Sequence, residues 1–329
     1  METRQIQFRE ALKEAMQEEM LKDDKVFLIG EEVAQYNGAY KVSQDLLEKF
    51  GADRVIDTPI SELGFTGISV GAAINGLKPI VEFMTFNFSL VAIDQIINNA
   101  AKILSMSGGQ LSCPITFRGP TGHAGQLAAQ HSQSFHSWYA NCPGLKVIIP
   151  SNAYNAKGLL KSAIKDPDPV IFMESELMYG DKYTVPAEEY YLPIGKANIV
   201  TTGNDITIVS FGKMLKTVLN ANQELKNLKI NAEIIDLLTI RPLDYMTIIE
   251  SVKKTNRLLI VEEAWPISSI STEISYIIQK EAFDYLDAPI MRLTAADVPL
   301  PYAPNLIKAA MPSETDIIDM AKDLIYLQK

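Results

Sequence analysis

Short apolar runs alternate with longer amphipathic helical patterns along this chain, and this alternation constrains the fold more than any other feature of the sequence. In the first half the predicted strands are Val26 to Gly30, Val55 to Asp57, Pro79 to Phe83, Ile115 to Gly119, Lys146 to Pro150 and Val170 to Glu174. In the second half they are Ile206 to Phe211, Ala232 to Leu237, Arg257 to Glu262 and Pro289 to Leu293. Because strands that alternate with helices form βαβ units, the sequence predicts an α/β fold with mainly parallel sheets flanked by helices.

The alternation is interrupted between residues 175 and 204, where Tyr, Pro, Gly and acidic residues occur without sustained periodicity. Such a segment is typical of a connection between domains, and we expect a short hairpin within it. We therefore predict two α/β domains, residues 1–195, which include the connection from about residue 175, and residues 196–329. Ser313 to Asp316 matches a capping signal, which predicts the start of the last helix.

Size and charge exclude several classes of protein. The chain has 329 residues with 47% hydrophobic residues, which suits a globular protein of about two domains. Its net charge of -10, without a basic stripe, argues against a nucleic-acid partner. The cysteines, Cys113 and Cys142, form no CxxC pair, so we interpret them as buried free thiols in a reducing compartment. No run approaches the length of about 18 apolar residues that indicates a membrane span.

The N-terminal residues show an amphipathic helical pattern rather than a targeting signal. The apolar positions of this pattern are Phe8, Ala11, Leu12, Ala15, Met16 and Met20. The acidic residues in and around it are Glu10, Glu14, Glu18 and Glu19. This acidity does not suit a transit peptide, and an apolar signal core is absent. We expect a bacterial cytoplasmic protein, or a mature organellar protein whose leader is absent here.

A single carboxylate, Glu62, lies among apolar residues in the segment from Asp57 to Phe65, between a predicted strand and a predicted helix. Burial would raise its pKa, which suits a group that holds and passes on a proton near neutral pH. A helix-start glutamate that only complements the helix dipole is an equally good interpretation. The glycines at 64, 67 and 71 match neither nucleotide-binding fingerprint, so we expect them to allow close helix packing, including packing across a subunit boundary.

Two further segments contain candidate functional side chains. Phe88 ends the aromatic segment that begins at Glu82, and it can stack on a planar heteroaromatic ring, although an aromatic residue at a strand end is more often part of the core. His131 follows a glycine-rich loop among small and polar residues, a setting typical of a titrating histidine in a cleft, and a structural role remains equally open. His136 has aromatic neighbours and is interpreted as structural.

Taken together, these segments resemble the β subunit of the thiamine-diphosphate-dependent E1 component of 2-oxo acid dehydrogenases, most nearly that of pyruvate dehydrogenase. The resemblance covers essentially the whole chain. Its motifs are Gly30 to Tyr36, Asp57 to Glu62, Glu82 to Phe88, Ala129 to Gln133, Pro143 to Val147, Thr239 to Pro242 and Asp297 to Tyr302. It implies a pyrimidine-binding domain followed by a transketolase C-terminal-like domain.

The resemblance also implies roles for individual residues. The glutamate that matches Glu62 hydrogen-bonds N1′ of the cofactor's aminopyrimidine and promotes loss of the thiazolium C2 proton. The aromatic residue that matches Phe88 packs on the pyrimidine, and Glu31 and Ile60 lie in the same pocket. The histidine that matches His131 faces the channel in which the lipoyl group of E2 is reductively acylated.

Metal ions and partner subunits follow from the same resemblance. A potassium ion would be held by backbone carbonyls at positions matching Ile115, Ala163 and Asp166, with Asp168 nearby. The G-D-G motif that anchors the diphosphate and Mg²⁺ is absent, and Asn98-Asn99 is interpreted as part of an ordinary helix. The resemblance therefore implies that an E1 α subunit supplies Mg²⁺ and the diphosphate site, in an α2β2 heterotetramer with a contact between β subunits.

Some choices remain open in the sequence. His123 lies where relatives have a small or apolar residue, and we favour a solvent-facing loop histidine over a second titrating group near the cleft. The acidic second domain suits docking of a basic E2 domain or forms a solvated face. We predict the pyruvate dehydrogenase E1 β function, with a branched-chain 2-oxo acid or acetoin dehydrogenase as the alternative and a silent assembly scaffold as the hypothesis from another class.

Overall fold

The structure is a computed structural model that describes residues 2–326, so both predicted domains include terminal residues outside the described range. The chain forms two compact units, each with its own sheet. The first unit contains residues 1–121 and 138–194, and the second contains residues 122–137 and 195–329. The predicted α/β fold with mainly parallel sheets is confirmed.

The first unit contains strands β1 to β8 and helices α1 to α4 and α6, while α5 begins in the second unit and ends in the first. The strands are β1 (Thr3–Gln7), β2 (Val26–Gly30), β3 (Val55–Asp57), β4 (Lys78–Glu82), β5 (Thr116–Pro120), β6 (Lys146–Ile148), β7 (Val170–Glu174) and β8 (Lys182–Pro186). The helices are α1 (Phe8–Lys22), α2 (Leu46–Phe50), α3 (Glu62–Ile74), α4 (Ile103–Met106), α5 (His136–Ala140) and α6 (Ala153–Lys165). The first unit also contains short 3₁₀ turns at Phe88–Ala92 and Glu176–Met178 and a π-helix at Gln95–Ala100.

Within this unit, six parallel strands lie side by side in the order β6, β7, β5, β4, β2, β3. Strands β2 and β7 are buried along their whole length, as expected for strands covered on both faces, which is why they are continuous apolar runs in the sequence. Helices α1 and α6 pack against each other. All the apolar positions of the predicted N-terminal helix are buried in α1, which confirms that prediction.

The second unit follows the same plan with fewer strands. The strands are β9 (Asn198–Thr201), β10 (Ile206–Ser210), β11 (Ala232–Asp236), β12 (Thr239–Arg241), β13 (Leu258–Val261) and β14 (Met291–Leu293). The helices are α7 (Met214–Asn227), α8 (Tyr245–Thr255), α9 (Ile270–Glu281), α10 (Pro304–Ala310) and α11 (Glu314–Leu324), with 3₁₀ turns at Ala129–His131 and Phe283–Tyr285. Five strands form a sheet in the order β14, β13, β10, β11, β9, in which only β9 is antiparallel to its neighbour.

Every predicted strand has a counterpart in the structure within two residues at each end, and the predicted capping box at Ser313 and Asp316 is confirmed. The prediction of a hairpin between residues 175 and 204 is wrong. The two strands of that segment pair elsewhere, β8 antiparallel to β1 and β9 antiparallel to β11. Strand β1 escaped prediction because its residues are mostly polar and exposed, so that it shows no apolar alternation.

One prediction about helices needs correction, and another is met only in part within this chain. Asn98-Asn99 lies in a π-helix rather than in the predicted ordinary helix. The side-chain amides of both residues donate to side chains four positions earlier, those of Asp94 and Gln95. The glycines of α3 do not all pack closely within this chain. A methyl group at Gly67 would contact the Gln95 side chain, whereas one at Gly71 would meet nothing within 4 Å.

Candidate functional site

Three predicted site segments begin at one edge of the first sheet. Strand β2 lies between β3 and β4, and Gly30 is in register with Asp57 on one side and with Glu82 on the other. The chain leaves these strands towards Glu31, towards Ile60 to Glu62, and towards Phe88. Because the carboxyl ends of parallel strands meet at the same edge, where α/β proteins commonly bind ligands, these residues share one region of the first unit.

The turn after β2 is held by a carboxylate that sequence reasoning did not single out. Asp57 accepts hydrogen bonds from the backbone N–H groups of Ala34, at 2.7 Å, and Gln35, at 3.0 Å. The N–H of Thr58 donates to the carbonyl of Gly30 at 3.0 Å. These bonds tie the turn that starts at Glu31 to the end of β3. The position of Asp57 as the last residue of a predicted strand is the signal that would have found it.

Glu31 and Glu62 form a buried acidic pair, each with only 7% of its surface exposed. Oε1 of Glu31 has no hydrogen-bond partner in the described part of the chain. Burial, followed by the negative charge of Glu62, raises the pKa of Glu31 from 4.5 to about 7. At neutral pH, Glu31 therefore has a large protonated fraction and can either donate or accept a hydrogen bond.

Of the other members of the predicted pocket, Glu62 is as buried as Glu31, whereas Ile60 and Phe88 are more open. Glu62 is the first residue of α3, where the helix dipole favours a carboxylate, but a role in capping alone does not require its burial. Ile60 is 84% exposed, which is unusual for a large apolar side chain. Phe88 is half-buried and begins the 3₁₀ turn that follows β4.

These residues fit the pyrimidine half of thiamine diphosphate. The orphaned buried oxygen of Glu31 and the carboxyl group of Glu62 suit the ring nitrogen and amino group of an aminopyrimidine, which need hydrogen-bond partners when they are buried. Phe88 and Ile60 would offer apolar surface to the faces of such a ring. The sequence contains no G-D-G motif.

A buried ionic network braces the same edge of the sheet. Arg118 on β5 donates from Nε to Glu174 at 2.7 Å and also pairs with Glu82, and all three side chains are almost fully buried. Tyr179 donates its hydroxyl to Glu174 at 2.7 Å. The network joins the carboxyl ends of β4 and β7 to the middle of β5, which lies between them. Sequence reasoning missed it because only the strand order brings these residues together.

His131 lies in the second unit, whereas Glu31, Ile60, Glu62 and Phe88 all lie in the first. It is half-buried at the end of the 3₁₀ turn Ala129–His131.

The other two histidines belong to the same segment of the second unit. The structural interpretation of His136 is confirmed, because it is buried, lies 3.2 Å from Glu262 and packs edge-on to Phe211. The prediction of a solvent-facing His123 is wrong. Its side chain is half-buried, and its Nδ1 lies 3.2 Å from the ammonium group of Lys213, which also bonds its backbone carbonyl.

The residues of the predicted potassium site lie around the end of α6 and the start of β5. The carbonyl of Ile115 accepts from the N–H of Val170 at 2.9 Å, and that of Ala163 accepts from the N–H of Asp166 at 3.1 Å. Each carbonyl retains a second lone pair. Lys146 pairs with Asp166 at 2.6 Å and with Asp168 at 3.1 Å, so both carboxylates already share one ammonium group.

Residues 2–326 contain no group of three or more His, Cys, Asp or Glu side chains arranged to hold a metal ion. Within the same range, no helix combines the length and apolar character that crossing a membrane requires. Cys113 and Cys142 are free and buried, as predicted.

Comparison with known proteins shows the family to which the chain is related. The family model described as the transketolase pyrimidine-binding domain matches residues 4–182, and that of the transketolase C-terminal domain matches residues 195–317. The chain is 57% identical to the pyruvate dehydrogenase E1 component subunit beta of Rickettsia felis, over 98% of this chain and 99% of the relative. It is 58% identical to that of Rhizobium meliloti over 97% of this chain and 69% of the relative.

Relatives outside bacteria and solved structures extend the comparison. The mitochondrial pyruvate dehydrogenase E1 component subunit beta-1 of Arabidopsis thaliana is 53% identical, over 99% of this chain and 91% of the relative. A solved structure described as a split-gene transketolase in an inactive β4 tetramer superposes with a TM-score of 0.80, covering 98% of this chain and 100% of that one, at 19% identity. At that identity the structural match supports the fold alone.

Proposed function

Because the chain belongs to the family of pyruvate dehydrogenase E1 component β subunits, we propose that it acts with an α subunit in the thiamine-diphosphate-dependent decarboxylation of pyruvate. The names of the relatives favour this function over the branched-chain and acetoin alternatives. The observation that most supports it is the buried pair of Glu31 and Glu62, with an unpartnered oxygen, at the carboxyl edge of the first sheet.

In this proposal the chain binds and orients the cofactor's pyrimidine ring and manages its protons. When bound, thiamine diphosphate supplies an electron sink for the carbon left by loss of carbon dioxide. Glu62 hydrogen-bonds N1′ of the ring and thereby controls the protonation of its amino group. Glu31, protonated in part at neutral pH, meets the polar edge of the ring, while Phe88 and Ile60 pack against its faces.

The second half of the reaction is assigned to His131. The acetyl unit passes to one sulfur of the lipoyl group of E2, the S–S bond breaks, and the two electrons left by loss of carbon dioxide reduce the disulfide. The second sulfur then takes a proton. We propose that His131 donates this proton, as a histidine beside a channel can do near neutral pH.

The remaining assignments complete the proposal. An α subunit holds Mg²⁺ and the diphosphate, the enzyme is an α2β2 heterotetramer with a β–β contact, and the acidic second domain docks E2. The domain boundary lies near residue 195. A potassium ion is bound by the backbone carbonyls of Ile115, Ala163 and Asp166, near Asp168. The enzyme acts in the bacterial cytoplasm, or in an organelle after removal of a leader.

Glu62→Gln tests the proposal in the enzyme co-produced with its α subunit. The variant should lose nearly all pyruvate decarboxylation and should bind thiamine diphosphate more weakly in calorimetry. The reason is that an amide, unlike a carboxyl group, cannot exchange a proton with N1′. Glu314→Gln is a matched control, since Glu314 is also the first residue of a helix but is exposed. Unchanged decarboxylation by Glu62→Gln would refute the mechanism, and a preference for a branched-chain 2-oxo acid would refute the substrate.

A further inference from the structure

Two adjacent carboxylates hold the two ends of the loop that contains His131. Glu262 and Glu263 directly follow β13 in the second unit. Glu263 contacts the start of the segment 122–137, and Glu262 contacts its end. The segment belongs to the same compact unit as both glutamates.

The start of the loop is fixed by a charged cluster. The carboxylate of Glu263 accepts from the backbone N–H of His123 at 3.1 Å and from Nζ of Lys213 at 2.7 Å. Lys213 also donates to the carbonyl of His123 at 3.1 Å. Gly122 has a φ of +75°, and a methyl group there would lie 2.6 Å from the carboxyl carbon of Glu263. Only glycine therefore allows the loop to approach Glu263 this closely.

The end of the loop is fixed by a buried pair. Glu262 is fully buried, lies 3.2 Å from Nε2 of His136, and accepts from the backbone N–H of Ser271 at 2.9 Å. Next to it, Phe135 packs edge-on to Trp265, with ring centroids 6.5 Å apart. Because Glu262 is anchored to α9 as well as to His136, this end of the loop has little freedom to move.

Between these ends, the loop has a backbone that needs support. The N–H of Gly122 donates to the carbonyl of Gln133 at 2.9 Å, which closes the loop. Gln126 and Ala128 have φ values of +54° and +64°, which non-glycine residues rarely adopt. Such residues persist only where the surrounding structure holds them in place. His131 lies three residues after Ala128 and donates its N–H to the carbonyl of that residue at 3.2 Å.

We infer that Glu262 and Glu263 are positioning residues that hold this loop in the conformation in which His131 meets the lipoyl group. The inference rests on the proposed role of His131. It predicts that weakening the contacts of Glu262 or Glu263 with the loop slows reductive acetylation of the lipoyl group more than decarboxylation, because only the former step uses His131.

Glu263→Gln tests the inference in the enzyme co-produced with its α subunit. The first readout is hydrogen exchange of the peptides that span residues 122–137, which should become faster in the variant. The second is the ratio of reductive acetylation of a free lipoyl domain to decarboxylation with ferricyanide as the electron acceptor. A displaced group commonly costs about 100-fold in rate, so we expect this ratio to fall about 10- to 100-fold.

Glu233→Gln is the matched control. Glu233 is also a buried glutamate of the second unit that pairs with a lysine, Lys254, and accepts from a backbone N–H, that of Gly203, and both of these partners lie outside the loop. It should leave both readouts unchanged. If Glu263→Gln does not fold, Lys213→Met removes the same cluster and should give the same pattern.

The outcomes separate the inference from the proposed function. If hydrogen exchange of residues 122–137 is unchanged in Glu263→Gln, Glu263 does not hold the loop and the inference is wrong. Faster exchange with an unchanged ratio would overturn the positioning role, provided that His131→Ala lowers the ratio. If His131→Ala also leaves the ratio unchanged, the proposed role of His131 is wrong and the inference about the lipoyl step falls with it.

Discussion

Replacing Glu31 by glutamine should stabilise the first unit above neutral pH. Burial and then the charge of Glu62 raise the pKa of Glu31 to about 7 in the folded chain. Between about pH 4.5 and 7, the folded chain therefore keeps a proton that the unfolded chain releases. Stability falls as pH rises through this window and is lowest above it. Glutamine keeps the shape of the side chain and cannot ionise.

The size of the effect follows from the pKa. A rise from 4.5 to about 7, at about 1.4 kcal/mol for each pKa unit, sets a ceiling of about 3 kcal/mol. Solvent that reaches this open edge of the sheet screens part of the repulsion, so we expect Glu31→Gln to be about 1–2 kcal/mol more stable than the parent at pH 8. At pH 4.5 and below, the difference should be close to zero.

Urea unfolding at pH 4.5 and pH 8, at one protein concentration, measures this difference. The chain has two tryptophans, and a Trp265→Phe background leaves Trp138, in the first unit, as the fluorescent reporter. Glu48→Gln, which removes an exposed carboxylate of the same unit, is the control and should show no pH-dependent gain. A destabilised Glu31→Gln at pH 8, or the same difference at both pH values, would refute the reasoning.

Two further predictions concern stability. Arg118→Met leaves the buried carboxylates of Glu82 and Glu174 without their cation, so the free energy of unfolding should fall by about 3–5 kcal/mol in thermal or urea unfolding. A fall of less than about 1 kcal/mol would contradict the importance of the network. Gly144→Ala should cost about 1–3 kcal/mol more than Gly76→Ala, because the φ values are similar, at +99° and +91°, but only the methyl group at position 144 would overlap a backbone carbonyl. Equal urea midpoints for these two variants would show that the overlap is relieved.

The sequence was sufficient for elements whose stability depends on local apolar pattern. Strands such as Val26–Gly30 and Val170–Glu174 are continuous apolar runs because both faces of the sheet are covered, so their bounds could be predicted. Strand Thr3–Gln7 could not, because its stability comes from pairing with residues almost 180 positions later rather than from its own pattern. Long-range pairing of this kind leaves no trace within a short window of sequence.

The same limit applies to the site. Glu62, Glu31 and His131 were recognisable because they lie in segments that match a family, but the features that shape their surroundings are distant in sequence. The carboxylate of Glu263 supports His123 from 140 residues away, and Glu262 contacts His136 across 126 residues. Reading Val261 as the end of a strand would have marked both glutamates as residues at a sheet edge, but not their partners.

The acidic pair in the first unit is better explained by ligand binding than by folding. The two buried carboxyl groups repel each other, and an oxygen without a partner adds the cost of desolvation. A sequence selected for stability alone would replace one of them with a neutral or apolar side chain. Conflicts of this kind between local chemistry and stability are concentrated at functional sites, where a ligand supplies the missing partner. A ring that offers N–H groups to both carboxyls would remove the repulsion and satisfy the orphaned oxygen, so the destabilisation of the free chain would be recovered as binding energy for such a ligand.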